Sequence, residues 1–269
     1  QRARTPQPSD VDGNLALGPL AIATYDDTVT PAPPSWNPSQ IYVEGGTATF
    51  RSGWDADAVM ALVLGEHDTA SEFGRDRLGL GRYPPSHEHA DPGAFLLHAY
   101  GERLALDPGY LTFTTHGKVN KPEHHNVVLV DGQGPADYLA ASFAWGSNPA
   151  GRPPAEGQST LFDWVSSDAG DAVSVATAYQ GARLQRRVVF GGDRYLVVAD
   201  EVDAPASSGL TWMLHGNGGG CAGGSYERTV AGGRWTIGGA RLDSAIAVAG
   251  ATPTLTESQA VHEVPYPPE

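Results

Sequence analysis

The chain has 269 residues, 40% hydrophobic and 18% charged, which is enough apolar mass for a large core and too much for global disorder. Its formal net charge of −14 disfavours nonspecific attraction to nucleic acid or to anionic membranes. A single cysteine, Cys221, excludes an intrachain disulfide, and no apolar run reaches the length of a membrane span.

Residues 1–40 are rich in Pro, Asp and Ser and close on Pro31-Ala32-Pro33-Pro34-Ser35-Trp36-Asn37-Pro38, the composition of a linker. Within them, Leu15 to Tyr25 is apolar enough for one short helix or strand. The first methionine is Met60 and no signal peptide is visible, which reads as a processed protein or one part of a longer polypeptide.

From Ile41 the pattern changes. Thr47 to Ser52 alternates as a strand does, Gly53 to Asp57 turns, and Val59 to Leu64 is a short buried-strand run. Glu66 to Pro85 mixes charges and glycines and reads as irregular loop. Gly93 to Tyr100 is apolar, Gly101-Glu102 turns it back into Arg103 to Leu106, and Thr112 to Glu123 is a loop. Asn126 to Val130 is a strand closed by Asp131-Gly132. Residues 133–170 read mostly as loop, anchored by Trp145 and Trp164.

Further on, Ala172 to Tyr179 alternates. Ala182 to Phe190 and Arg194 to Val202 flank Gly191-Gly192-Asp193, a hairpin signal. Leu210 to His215 is another strand. The glycine run from Gly216 to Gly224 has no phosphate-loop spacing and reads as a turn-rich loop. Arg234 to Ile237 and Ala245 to Ala249 complete the pattern, with an exposed tail at 265–269. Many short strands, abundant Gly and Pro, and no sustained 3.6-residue period predict an all-β fold, a large antiparallel β-sandwich over residues 41–269.

Six of the nine histidines (His87, His89, His98, His116, His124 and His125) fall between Ser86 and Gly132. On a strand, residues two apart share a face, so His87 and His89 would stand side by side with Glu88 opposite. Asp107 follows a strand that pairs through the Gly101-Glu102 turn, and His125 opens another. If these strands are neighbours, His89, Asp107 and His125 converge. Two imidazoles and one carboxylate suit zinc, whereas calcium wants more oxygens. The residues alone leave this beside the alternative of scattered, satisfied histidines.

The run His87-Glu88-His89-Ala90-Asp91-Pro92-Gly93-Ala94-Phe95, then Gly101-Glu102-Arg103-Leu104-Ala105-Leu106-Asp107-Pro108-Gly109-Tyr110, then His125-Asn126-Val127-Val128-Leu129-Val130-Asp131-Gly132, resembles the heparinase II/III-like polysaccharide lyases. Phe50-Arg51-Ser52-Gly53-Trp54-Asp55 upstream, and Arg186 to Phe190 with Tyr195 to Asp200 downstream, extend the likeness over roughly residues 41–215.

The resemblance implies a supersandwich-like β-domain in a lyase that cleaves a uronic-acid polysaccharide by β-elimination. It implies His87 as an active-site histidine and His89, Asp107 and His125 as ligands of a zinc that is structural rather than catalytic. Such lyases place an (α/α) toroid before the sandwich. Nothing in this sequence reads as one, so residues 1–40 would be a linker or the end of a preceding helical domain. The toroid would be supplied as another domain or chain.

Around this frame, Tyr110 is a second catalytic candidate, with packing after a strand as its rival reading. Arg82, Lys118 and Lys121, with Arg75 and Arg77, lie on loops flanking the histidines and are candidates for binding an acidic polysaccharide, with solvated surface charge as the alternative. His98 reads as a hydrogen-bonded core residue, His124 as pointing away from the metal, His215 as packing at a strand end with approach to a sugar site as its alternative, and His67 and His262 as surface. The expected location is secreted or periplasmic. The rival function is a non-catalytic, metal-stabilised carbohydrate-binding or structural module, which turnover by this chain alone would exclude. A zinc hydrolase is the weaker third reading, because Glu88, its base, would face away from the metal.

Overall fold

A computed structural model of the chain describes residues 28, 30, 32–42, 47–65, 89–109, 119–134, 162–167, 170–179, 181–218 and 224–258. The chain divides into two units, 1–35 with 262–269 and 36–261, and nearly all described residues belong to the second.

The described residues build antiparallel sheets and, apart from a 3₁₀ turn at Pro122–His124, no helix. Five strands form a meander in sequence order: β1 (Gln40–Tyr42), β2 (Thr47–Arg51), β3 (Met60–Leu64), β4 (Phe95–Ala99) and β5 (Glu102–Ala105). A short strand, β6 (Val128–Val130), follows. A four-stranded sheet comes next, built from β7 (Phe162–Ser167), β8 (Gly170–Tyr179), β9 (Ala182–Gly191) and β10 (Tyr195–Asp203). β11 (Leu210–Trp212) returns to pair with β6, and β12 (Ser225–Arg228), β13 (Gly233–Ile237) and β14 (Ala240–Asp243) make a three-stranded sheet.

The alternating sequence of the larger strands explains their packing. On β9, Ala182, Leu184, Arg186, Val188 and Phe190 point inward while Arg183, Gln185 and Arg187 face solvent. Phe50, Val63, Phe95 and Leu104 of the five-stranded sheet meet Val173, Val175, Val188 and Phe190 of the four-stranded one, and Ile237 and Ala240 of the three-stranded sheet join the same core. The Phe50 and Phe190 rings stack at 5.8 Å across the two sheets. Each such side chain, once buried, contributes about 1.5–3 kcal/mol.

The all-β expectation matches this architecture, and several individual elements differ from it. β7 runs through a stretch read as loop, and β12 was not expected. Among the described residues the last strand is β14 rather than 245–249, where the chain forms only an isolated bridge between Val248 and Ala251. Gly238, at φ +54, turns β13 back into β14, so that Ile237 faces Ala240. No helix among the described residues is long and apolar enough to cross a membrane.

Two local devices aim the chain at the site. Tyr100 (φ 55) and Gly101 (φ 77) form the two-residue turn joining β4 to β5, with Ala99 opposite Glu102. A bulge then shifts the register, pairing Leu97 with Ala105 and His98 with Arg103. The extra residue turns both Leu104 and Ala105 inward, and so resets the direction of the chain just before Asp107.

Candidate metal centre

Three segments meet here. The first is the lead-in to β4. Asp91-Pro92-Gly93 cannot continue a strand, since Pro92 has no N–H to give and Gly93 sits at φ +83. The segment is fixed instead by single hydrogen bonds. Ala90 N donates to Asn120 O (2.9 Å), Gly93 N to Leu64 O (2.7 Å) and Ala94 N to Asp91 O (2.8 Å). His89 and Asp91 are therefore held in a buried turn, and the expectation that His89 lies on a strand is corrected.

The second segment follows the bulge. Asp107 Oδ1 accepts from Gly109 N at 2.9 Å, an Asx-type turn that settles the carboxylate. The third segment leaves the 3₁₀ turn, where His125 N donates to Pro122 O (3.1 Å) and the His125 ring is 0% exposed.

The contacts among the three are close. His125 Nδ1 lies 2.6 Å from Asp107 Oδ2 and 4.0 Å from Asp91 Oδ2. The rings of His89 and His125 are 5.1 Å apart. His89, Asp91 and His125, all buried, each offer a ligand atom within 4.8 Å of the other two. Asp107 joins this group through its contact with His125. Burial alone would raise the Asp107 pKa, but the hydrogen bond and charge of His125, the Gly109 amide and the charge of His89 together hold it below the ordinary carboxylate range.

This donor set fits a divalent cation. Nδ1 of His125 shares its proton with Asp107, so the lone pair left for a cation is that of Nε2, which is buried without a hydrogen-bond partner. Two imidazoles with one or two carboxylates are borderline ligands of the kind zinc accepts. At 2.6 Å, Nδ1 and Oδ2 are at the spacing of a charge-assisted hydrogen bond. Two ligands of one tetrahedral zinc would stand about 3.3 Å apart, given bonds of about 2.0–2.1 Å. In this arrangement Asp107 orients His125, and Asp91 supplies a carboxylate within 4.8 Å of both imidazoles.

Behind the donor cluster lies a buried polar hub. Asn126 is 0% exposed, and its Nδ2 donates to Phe95 O (2.7 Å) and Leu106 O (2.9 Å) while its Oδ1 accepts from His215 N (2.7 Å). One side chain thus ties together the start of β4, the residue before Asp107 and the chain after β11. Arg186, 1% exposed, donates from Nη1 to the carbonyls of Gly93 and Asn126, both at 2.7 Å. Asp200 takes the other side of its guanidinium through two bonds of 2.7 Å, and Trp212 Nε1 donates to the same carboxylate at 2.9 Å.

Among the residues expected from sequence, His89 and His125 come together, and Asp107 contacts His125. Asp91 was not singled out, although its place two residues after His89 repeats the spacing of the histidine pair. Arg186 and Asn126 were not given roles. Lys121 is exposed and lies just before the 3₁₀ turn, four residues from His125. His98 and His215 are half-buried, and the His215 carbonyl accepts from Leu106 N at 2.7 Å. His87, Tyr110, Arg82 and Lys118 lie outside the described residues, as do Arg75, Arg77, His116, Trp145 and Cys221.

The family described as Heparinase II/III-like, C-terminal, matches residues 78–262, well over half of the chain. No curated protein sequence matches it. Among solved structures, a heparinase III gene product is similar over 75% of this chain and 28% of its own, at 16% identity and a TM-score of 0.52, which shows a shared fold. The heparan sulfate lyase HepC from Pedobacter heparinus aligns over 67% of this chain and 24% of its own, at 19% identity and a TM-score of 0.48. The chain thus spans about a quarter of the length of these solved relatives.

Proposed function

The chain belongs to the Heparinase II/III-like, C-terminal family, and from that premise we propose that it is the β-sandwich part of a polysaccharide lyase cleaving a uronic-acid polymer by β-elimination. The observation that carries this reading is the meeting of His89, Asp91, Asp107 and His125 in one buried cluster within the matched region.

The reaction needs three things. The uronate carboxylate must be neutralised so that its C5 proton becomes acidic, a base must take that proton, and an acid must protonate the departing C4 oxygen. His87, two residues before His89, is the group of this chain assigned to the neutraliser or base role, with Tyr110 as a further substrate contact. Lys121, exposed and four residues before His125, is assigned, with Arg82 and Lys118, to the acidic polymer. This local cationic patch would offset the −14 of the whole chain.

His89, Asp91 and His125 would hold zinc, with Asp107 orienting His125, and the ion would supply a structural tie between the three segments. Bound there, it would fix the backbone leading back to His87, the part a ligand-orienting shell has in metal enzymes. The remaining catalytic groups are assigned to an (α/α) toroid preceding the sandwich, which fits a chain matching about a quarter of the length of its solved relatives. A polymeric substrate places the enzyme outside the cytoplasm, secreted or periplasmic.

The test uses the full-length protein with heparan sulfate, alginate and hyaluronan. Appearance of the ultraviolet-absorbing unsaturated uronate on one of them, and its loss in His87→Ala, is the expected result. Absence of that product from all three polymers, with binding retained, would favour the non-catalytic carbohydrate-binding module instead.

A further inference from the structure

Arg186 stands out in its own strand. The inward row of β9 is otherwise Ala182, Leu184, Val188 and Phe190, all buried in the core. A guanidinium at that position must shed its water, and a buried ion pair is often no more stabilising than a well-packed apolar residue. Packing alone therefore does not account for an arginine here.

Its hydrogen bonds do. The edge formed by Nε and Nη2 is paired bidentately with Asp200, which neutralises the charge and locks the plane of the fork. Trp212 fixes the same carboxylate from β11, and the Phe95 ring lies 6.0 Å from the guanidinium carbon. What remains is Nη1, and both of its bonds go to carbonyls, Gly93 and Asn126, at 2.7 Å each. Gly93 is two residues from Asp91, and Asn126 adjoins His125. One nitrogen thus sets the distance between the two backbone segments that carry the donor cluster. A lysine lacks the planar fork needed to pair with Asp200 and reach both carbonyls.

We propose that Arg186, clamped by Asp200, is a positioning residue for the metal centre: it fixes the spacing between the His89–Asp91 turn and His125. This rests on the metal reading above. Arg186 touches neither ion nor substrate; it acts through the carbonyls of Gly93 and Asn126. Asp200 and Trp212 extend the same control to β10 and β11, far in sequence from any ligand.

The test compares the full-length protein with Arg186→Lys and with the double variant Arg186→Met, Asp200→Leu, which removes both charges while keeping apolar bulk. Three quantities are read: zinc affinity by chelator competition, the visible absorption of the cobalt-substituted protein, and the melting temperature of the metal-free form. The expected result is a double variant that still folds yet binds zinc about 10–100-fold more weakly, with an altered cobalt spectrum. Affinity within about threefold of the parent and an unchanged cobalt spectrum, whatever the melting temperature, would overturn the proposal, since a merely structural role moves stability alone. Where both variants fail to fold, Trp212→Phe, which loses the indole bond to Asp200 and part of the ring packed on the core, is read by the same spectrum: a shift supports the proposal and no shift overturns it. A parent protein that binds neither zinc nor cobalt would remove the metal reading itself, and this proposal with it.

Discussion

His125 Nδ1 and Asp107 Oδ2 stand 2.6 Å apart, with the imidazole fully buried. Asn126, next to His125, also donates to the carbonyl of Leu106, next to Asp107, at 2.9 Å, so the two segments are tied a second time. This pair is where folding and the site's chemistry become one problem. Removing either partner leaves the other buried beside the remaining donors.

Asp107→Asn is expected to keep the hydrogen-bond shape but lose the charge that fixes the His125 tautomer. Zinc affinity should fall by about 10–100-fold, measured by chelator competition. The wild-type carboxyl also has a pH signature. Its folded pKa lies below the unfolded value of 3.8, so its contribution to stability is complete above that value and is lost as pH falls through the lower folded one. Acid unfolding of the metal-free Asp107→Asn protein should therefore be shallower than that of the parent.

Asn126→Ala removes two donors and one acceptor at once. With net contributions of about 0.5–1.5 kcal/mol per bond and carbonyls left buried, a loss of about 2–4 kcal/mol is expected in denaturant unfolding. An unchanged midpoint would show that the hub does not hold the three segments together.

Tyr179 donates its hydroxyl to Val128 O at 2.8 Å from a buried position. Burial, reinforced by the Asp200 charge and partly opposed by Arg186, raises its pKa far above the ordinary 10.0. The sign is that of a raised group: its contribution is intact below the unfolded pKa and is lost as pH rises above it. Tyr179→Phe should cost about 1 kcal/mol near neutrality and flatten the alkaline limb of a stability–pH curve.

Phe50→Ala is a test of the sandwich itself. Phe50 is fully buried and stacks on Phe190 across the two sheets, so truncation should cost about 3–5 kcal/mol in thermal or denaturant unfolding. A cost below about 1 kcal/mol would mean that the two sheets do not share one core.

The sequence was most legible where period-two alternation runs long and ends in a glycine turn. β8, β9 and β10 follow such runs, with Gly192 and Asp193 in the last hairpin. Short strands with polar outward faces were not legible. β12 and β14 carry Glu227, Arg228, Arg241 and Asp243, and their register is set by neighbours rather than by a pattern of their own. Of the donor cluster, His89, Asp107 and His125 could be named from residue type and spacing. Asp91 was hidden because Asp-Pro-Gly also spells a turn, and here it does both. Arg186 was hidden because it keeps the alternation of β9 while breaking its polarity, and only its partners from three other segments reveal why.

The most direct test of the whole account is elemental analysis of the purified full-length protein and of its His125→Ala variant. The account predicts one zinc per parent chain and none in the variant, with far-ultraviolet circular dichroism showing that the variant keeps its β-structure. A folded parent without metal, or a variant that keeps its zinc, would contradict it.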